Sequence, residues 1–412
     1  MKSRFTPMMK GGLIVMRPNS IYRVIAGALL VAAAGGTLAV RLLAARHAKT
    51  NILGLNKVIA FTYSPGKNFD LKQLHSVTLV GPVGAGDWKY WQARGVVSAV
   101  GHTWYDLLRS PIDKAVDNLT GQDYGGNPRP VNMIDEFGFD YGGEMDQKSA
   151  QVIRQTKLKK PDLALAVWQM REPVPQVLAE AYRDAADLVM FESYVSNQKH
   201  YWWIAIQVWS ARRYGILAKT IPVLGVGKGG NPGEDWAETK EEIEEQIRFV
   251  RLIAPESPGV GFYSGTPELL ADADAFCAHY FGLPTNGSGL PPEVRELAKT
   301  FSRRYDNPTL VASPSLVGPN YNGDGNGALV EPKTMRVYLI NLGDTDAQNV
   351  RLRLRNLPML GGNVFAEGVA PLIPKRGEAI AVLPVTDQWR EWVGQWVLEV
   401  DAPGCDVHIF KP

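Results

Sequence analysis

The chain has 412 residues, which is enough for one large domain and one smaller domain. Its 44 Lys and Arg residues nearly balance 42 Asp and Glu residues, and 45% of the residues are hydrophobic, as in a globular protein. No stripe of basic residues interleaves with aromatic residues, which argues against a nucleic-acid partner. The 2 cysteines form neither a disulfide framework nor a zinc-binding pattern.

The amino terminus has the pattern of an export segment. Residues 1–23 contain basic residues and no acidic residue, and residues 24–40 are an Ala-, Gly-, Val- and Leu-rich stretch. Ala32 and Ala34 offer an A-x-A-like cleavage site, although the apolar stretch continues beyond them. We therefore expect residues 1–50 to be a signal peptide or signal anchor with a linker. The rest is expected to be exported: secreted, periplasmic, or anchored through residues 24–40 to the outer face of the cytoplasmic membrane.

Short β-type runs recur through the next part of the chain. They cover residues 58–63, 77–82, 95–102, 131–137, 163–170, 188–194, 221–227 and 259–265. Most are nearly continuous apolar stretches, which is typical of parallel strands buried on both faces. Because several of the intervening segments have helical patterns, the sequence predicts a (β/α)8 TIM barrel over residues 55–282.

The carboxyl-terminal part has a different periodicity. Residues 283–308, which begin with a Gly- and Pro-rich stretch, are predicted to be a linker. Within residues 309–412, several runs alternate apolar and polar residues with period two, which predicts a small antiparallel β-sandwich. The segment N-L-G-D-T-D-A-Q-N-V-R-L-R-L, from Asn341 to Leu354, resembles the immunoglobulin-like accessory domains appended to secreted carbohydrate-active enzymes. This resemblance implies a structural appendage, with direct glycan binding as the alternative.

One predicted helix of the barrel is rich in aromatic residues. Residues 200–214 read H-Y-W-W-I-A-I-Q-V-W-S-A-R-R-Y, with Trp202, Ile206 and Trp209 at helical spacing. We expect this stripe to pack against the barrel rather than to form a platform for a ligand.

Two adjacent acids end the fourth predicted strand. Asp135 and Glu136 follow the run V-N-M-I, and active sites of these barrels lie at the carboxyl ends of strands. Strand parity with Val131 and Met133 predicts that Asp135 points inward, whereas a break at residues 137–138 would turn Glu136 over the mouth. The alternative is an ion pair or a helix cap, because unpaired buried carboxylates are costly.

Glu192 ends the sixth predicted strand, in V-M-F-E-S-Y. Glycoside hydrolysis requires two carboxyl groups that flank the scissile bond, one as general acid and one as nucleophile or base. We therefore predict that Glu136, or Asp135 if the parity holds, is the general acid and that Glu192 is the nucleophile or base. A separation of about 5 Å would indicate retention of configuration, and one of roughly 6.5–9.5 Å inversion.

Polar and aromatic residues lie at the ends of several other strands. The candidate substrate-binding residues are Tyr63, His102, Trp104, Trp168, Gln169, Tyr194, Lys228 and Tyr263. Together they predict a cleft for a carbohydrate substrate. A structural histidine is the alternative for His102.

Taken together, residues 55–412 resemble TIM-barrel glycoside hydrolases with an immunoglobulin-like tail. The chain lacks the chitinase-like D-x-x-D-x-D-x-E pattern, although V-M-F-E-S-Y is similar to the corresponding strand of that group. The clan with glutamates on strands four and seven would place its second one near Gly227, where this chain has Lys228. The resemblance therefore implies a glycosidase without assigning one family.

Two other functions remain open at the level of sequence. The barrel is either catalytic or a non-catalytic, secreted glycan-binding or envelope-associated protein. A metal-assisted hydrolase or lyase would use His102, Asp135 and Glu192 as ligands, but a second well-placed histidine is missing. The glycine-rich segment from Gly225 to Gly230 lacks the Walker spacing, so the sequence predicts neither a nucleotide nor any other cofactor.

Overall fold

The computed structural model describes residues 53–63, 75–103, 107, 109–138, 143–170, 174–195, 198–227, 236–283, 286–300, 309–315, 334–356, 362–384 and 396–409. The predicted signal or anchor segment, residues 1–50, lies outside the described residues. Within the described part of the chain, no helix is both long enough and apolar enough to cross a membrane.

Eight parallel strands close into a barrel in the order in which they occur along the chain. They are β1 (Val58–Thr62), β2 (Leu79–Gly81), β3 (Val97–Thr103), β4 (Val131–Phe137), β5 (Ala164–Gln169), β6 (Leu188–Ser193), β7 (Thr220–Gly225) and β8 (Gly259–Tyr263). The barrel closes where β1 pairs with β8, with Val58 opposite Gly259. A Cβ on Gly259 would lie 1.7 Å from the Val58 carbonyl oxygen, so this closing contact requires glycine. The predicted TIM barrel is confirmed.

Helices cover the outside of the strands. They are α1 (Trp88–Gln92), α2 (Ile112–Gly121), α3 (Glu144–Lys159), α4 (Gln176–Ala185), α5 (Tyr201–Arg213), α6 (Lys240–Ile253) and α7 (Pro267–Tyr280). The sequence sets some of these starts locally. Thr239 and Glu242 form a capping box at the start of α6. Thr266 caps α7, whose first residue is Pro267.

Alternate residues of each strand face the barrel interior and the helix layer, as the pleat requires. The interior cluster includes Ala60, Val131, Met133, Ala166, Trp168, Leu188, Met190 and Val223. The cluster between strands and helices includes Phe61, Ile134, Val167, Val189 and Phe191. This alternation determines which strand-end residues continue the inward series.

The carboxyl-terminal strands are β9 (Thr309–Ser315), β10 (Thr334–Asn341), β11 (Ala347–Asn356), β12 (Val364–Ile373), β13 (Glu378–Pro384), β14 (Trp396–Asp401) and β15 (Asp406–Ile409). They form two sheets, in the orders β13-β10-β9-β15 and β12-β11-β14. Leu339, Leu352 and Leu398 share one buried core, so the sheets form the predicted sandwich. The registers are antiparallel except that β9 and β15 pair in parallel.

The segment predicted as a linker, residues 283–308, contains a helix, α8 (Pro292–Thr300). Leu290 and Val294 are buried in the same cluster as the barrel strands and helices. The barrel domain therefore continues past the predicted boundary, because apolar residues at helical spacing follow the Gly- and Pro-rich stretch.

The sandwich packs against α5. Ile206 shares a buried cluster with Tyr338, Ile340 and Leu342 of the sandwich, and Trp209 packs against the same cluster. The prediction that Ile206 and Trp209 pack against the barrel was therefore wrong. Periodicity identified a packed face, but the partner of that face is the second domain.

Candidate active site

A β-bulge shapes the end of β4. The pairing of β4 with β5 shifts between Ile134 and Phe137, so that Asp135 and Glu136 together oppose Trp168. Glu136 has a φ of 62°, which is unusual for a residue other than glycine. Asp135 keeps the inward parity of Met133, and the negative charge of Glu136 helps to raise the pKa of the Tyr63 phenol. The carboxyl groups of Asp135 and Glu136 therefore both interact with Tyr63 at the mouth of the barrel.

Asp135 is hydrogen-bonded to a phenol across the mouth. The Tyr63 hydroxyl donates to Asp135 Oδ2 at 2.5 Å. Burial raises the pKa of the Asp135 carboxyl above its ordinary value of 3.8, and the bonds from Tyr63 and from the Glu136 backbone only partly offset this rise. Burial also raises the pKa of Tyr63, and the Asp135 charge adds to the increase. Tyr63 therefore stays a neutral donor.

Glu192 lies on β6, where it continues the inward series of Leu188 and Met190. The pKa of Tyr194 is raised well above 10.0, first by burial and then by the charge of Glu192, with smaller effects from Asp135 and other groups. One phenol therefore experiences both candidate carboxyl groups. The ends of β4 and β6 contribute to the same mouth of the barrel.

An aromatic cluster surrounds these acids. The ring of Tyr263 lies 5.3 Å from that of Tyr63, 6.1 Å from Trp168, and 4.9 Å from Tyr194, on which it stacks. Tyr63 also meets Trp168 edge to face, at 5.7 Å. Four of the predicted substrate-binding residues thus form one group of rings.

Trp236 belongs to the same cluster but was missed from the sequence. Its ring lies 5.2 Å from Tyr194 and 5.4 Å from Tyr263. It is brought to the end of β7 by a bridge between Val226 and Ala237, and a Cβ on Gly225 would lie 2.6 Å from the indole. The glycine at the end of β7 was the available signal, since glycine within a strand often marks a close approach.

Gln169 lies outside this group. Because Trp168 faces the interior, the next residue faces the helix layer. Gln169 is fully buried, and its Oε1 accepts a hydrogen bond of 2.6 Å from the Tyr182 hydroxyl on α4. This hydrogen bond joins β5 to α4, and the assignment of Gln169 to the cleft stays a prediction.

The other predicted residues are only partly described. His102 lies in β3, in register with Ile134 of β4. Trp104 and Lys228 lie outside the described residues, so their assignment to the cleft stays a prediction.

Backbone strain concentrates at the same end of the barrel. Tyr63, Glu136 and Ser264 are non-glycine residues with φ values of 57°, 62° and 64°. They follow or end β1, β4 and β8. Such conformations cost of the order of 1–3 kcal/mol each and cluster at functional sites. These three backbone positions lie at the same mouth of the barrel as the carboxyl groups and the aromatic cluster.

Among the described residues, no group of three or more His, Cys, Asp or Glu side chains is arranged to hold a metal ion. A cavity of about 480 Å³ is lined by Val97, Val131 and Ala164 at the amino ends of β3, β4 and β5. This cavity is at the opposite end of the barrel from the carboxyl groups.

We expect Tyr63→Phe to raise the pKa of Asp135 further, because it removes a hydrogen bond that stabilises the carboxylate. The phenyl ring keeps the contacts with Trp168 and Tyr263, so the fold should persist. If Asp135 is a general acid, the alkaline limb of the pH profile of kcat/KM should move to higher pH. Tyr280→Phe, which removes another phenol–carboxylate bond on α7, is the control. An unchanged alkaline limb would contradict the expectation.

Comparison with known proteins gives matches in structure but not in sequence. No family model and no curated protein matches the chain. The catalytic domain of a family GH18 chitinase from the fern Peteris ryukyuensis is 15% identical, with a TM-score of 0.38 over 52% of this chain and 97% of that chain. A chitinase from Chromobacterium violaceum ATCC 12472 is 13% identical, with a TM-score of 0.40 over 54% and 99%. A modular endo-β-1,4-mannanase from Cellulomonas fimi is 11% identical, with a TM-score of 0.40 over 85% and 94%.

Proposed function

We propose that the chain is a glycoside hydrolase that cleaves a poly- or oligosaccharide with two carboxyl groups at the carboxyl-terminal face of the barrel. The observation that carries this proposal is geometric: Asp135 and Glu192 continue the inward series of β4 and β6 at one mouth of the barrel, where the Tyr63 hydroxyl donates a hydrogen bond to Asp135. Two carboxyl groups at one mouth of a barrel fit the paired acids that glycoside hydrolysis requires.

The two carboxyl groups have different proposed roles. Asp135 is the general acid, because burial raises its pKa and so favours the protonated form that an acid must hold. Glu192 is the nucleophile or the general base. Glu136, which lies on the same bulge as Asp135, is the alternative acid.

The aromatic cluster supports a carbohydrate as the substrate. Tyr63 is exposed and Tyr194 and Tyr263 are half-buried, so their rings offer flat apolar faces with polar edges, which suits stacking on sugar rings. Trp168 and Trp236 are buried and pack against these rings. The strained backbone at the ends of β1, β4 and β8 also supports a functional mouth at this position.

A substrate screen tests the function. The full chain is incubated with soluble polysaccharides and with 4-nitrophenyl oligosaccharides of glucose, mannose and N-acetylglucosamine, and released reducing ends or nitrophenol are measured. Turnover on at least one member is expected, and the anomer formed first distinguishes retention from inversion. Glycan binding without any turnover would contradict the proposal and favour a glycan-binding protein.

We also propose that the chain is exported, because a basic leader precedes the apolar residues 24–40. The expected result of fractionating cells that express the full chain is protein outside the cytoplasm or in the membrane fraction. Soluble cytoplasmic protein with an intact amino terminus would rule this out.

A further inference from the structure

Gln207 of α5 is tied to the strand end that carries Glu192. Its side chain is fully buried. Its Nε2 donates a hydrogen bond of 2.7 Å to the Glu192 carbonyl oxygen. Its Oε1 accepts one of 2.5 Å from the Ser193 hydroxyl. Both ends of one amide therefore hold two consecutive residues of β6.

These bonds lie at the end of β6, where the described residues pair with a neighbouring strand on one side only. The register of β5 with β6 ends at the pair Gln169 and Phe191. On the other side, pairing with β7 continues through Glu192 and Ser193. In the described part of the chain, the last two residues of β6 thus have a strand partner on one side, and Gln207 supplies additional bonds from the helix layer.

A different face of the same helix contacts the sandwich. Ile206 is fully buried against Tyr338 and Ile340. Beyond the end of α5, the Tyr214 hydroxyl donates to the carboxylate of Glu378, to which the Tyr338 hydroxyl also donates. Apolar packing and half-buried hydrogen bonds therefore join α5 to the sandwich on one side, while Gln207 joins α5 to β6 on the other.

We propose that Gln207 is a positioning residue for the Glu192 carboxyl group, and that the sandwich steadies Gln207 by packing against α5. This inference rests on the proposed function, in which Glu192 reacts with the substrate. A displacement of about 1 Å at a reacting group can reduce the rate about 100-fold, so small shifts of this strand end matter. The sandwich then supports the catalytic strand through α5.

Gln207→Met tests the first part, because methionine has a similar shape but can make neither bond. The probe is the 4-nitrophenyl glycoside with the highest turnover in the screen. We expect kcat to fall about 10- to 100-fold, with KM within about twofold and an unchanged circular dichroism spectrum. Unchanged kcat in a folded variant would overturn the proposal.

Gln207→Glu provides a pH signature that a purely structural role would not produce. Its carboxyl group can donate to the Glu192 carbonyl only while it is protonated. The ratio of variant to wild-type kcat should therefore rise as the pH falls, and a ratio independent of pH would contradict positioning by this bond. This variant also carries the test if Gln207→Met does not fold.

The contribution of the sandwich is tested with Ile340→Ala, which deletes packing against α5 without changing the barrel. We expect kcat to fall several-fold with little change in KM, and to fall less than additively when combined with Gln207→Met. Arg353→Gln, on an exposed ion pair of the sandwich, is the matched control and should have no effect. Fully additive effects would show that the sandwich does not act through Gln207.

The two levels of the proposal can fail separately. If the wild type turns over no glycoside in the screen, the proposed function fails, and if Glu192→Gln remains active, the role of Glu192 fails; in both cases the Gln207 variants no longer test positioning. If Glu192→Gln is inactive while Gln207→Met keeps full activity, the hydrolase proposal stands and only the positioning role is refuted.

Discussion

Glu192→Gln is expected to abolish hydrolysis while leaving the fold and the affinity for glycan largely intact. The amide keeps the shape of the side chain but can act neither as a nucleophile nor as a base. Loss of a catalytic carboxyl group should reduce kcat by about 10³-fold or more. Turnover of the best 4-nitrophenyl glycoside, thermal unfolding and calorimetric titration with oligosaccharide measure the three properties.

Glu256→Gln is the matched control for this change. Glu256 is exposed and pairs with Arg212 at 2.9 Å, and it should be replaceable without loss of turnover. If the Glu192 variant hydrolyses the substrate at a rate near that of the wild type, the assignment of Glu192 as nucleophile or base is refuted.

Asp135→Asn is expected to lower activity and raise stability. An amide cannot donate a proton to the leaving group, so kcat should fall by about 10²–10⁴-fold if Asp135 is the general acid. The amide carbonyl can still accept the hydrogen bond from Tyr63, which preserves the local geometry. Stability should rise at neutral pH because the variant buries no charge.

The pH dependence of this gain follows from the direction of the pKa shift. The pKa of Asp135 in the folded state is raised above 3.8, so the folded protein holds this proton more tightly than the unfolded chain does. The contribution of Asp135 to stability is thus fully present below its unfolded pKa and is lost as the pH rises through its folded pKa. Each unit of the shift corresponds to about 1.4 kcal/mol.

The free energy of unfolding of wild type and variant, measured by denaturant titration from pH 3 to pH 8, tests this sign. At the lowest pH the variant and the wild type should be equally stable. As the pH rises across that window, the variant should become more stable than the wild type. If the variant is less stable than the wild type at neutral pH, the Asp135 carboxylate stabilises the fold, as a carboxylate in a structural ion pair would, and the prediction is contradicted.

The barrel and the sandwich were predictable from the sequence because their signals are local. Continuous apolar runs specify strands buried on both faces, and period-two alternation specifies a sheet with one exposed face. The same periodicity placed Asp135 on the inward face of its strand, and the extent of the apolar run placed Glu192 at the end of β6. Each of these inferences needs only the neighbouring residues, since side chains alternate along any strand.

Tertiary structure decided how these residues meet. The bulge that sets Asp135 and Glu136 against Trp168 depends on the register with β5, and register is a relation between strands. Trp236 reaches the mouth through a bridge formed after β7, and Gln207 reaches Glu192 from the next helix. Sequence periodicity identifies the buried face of each element, but only the packing of elements selects the partner of that face.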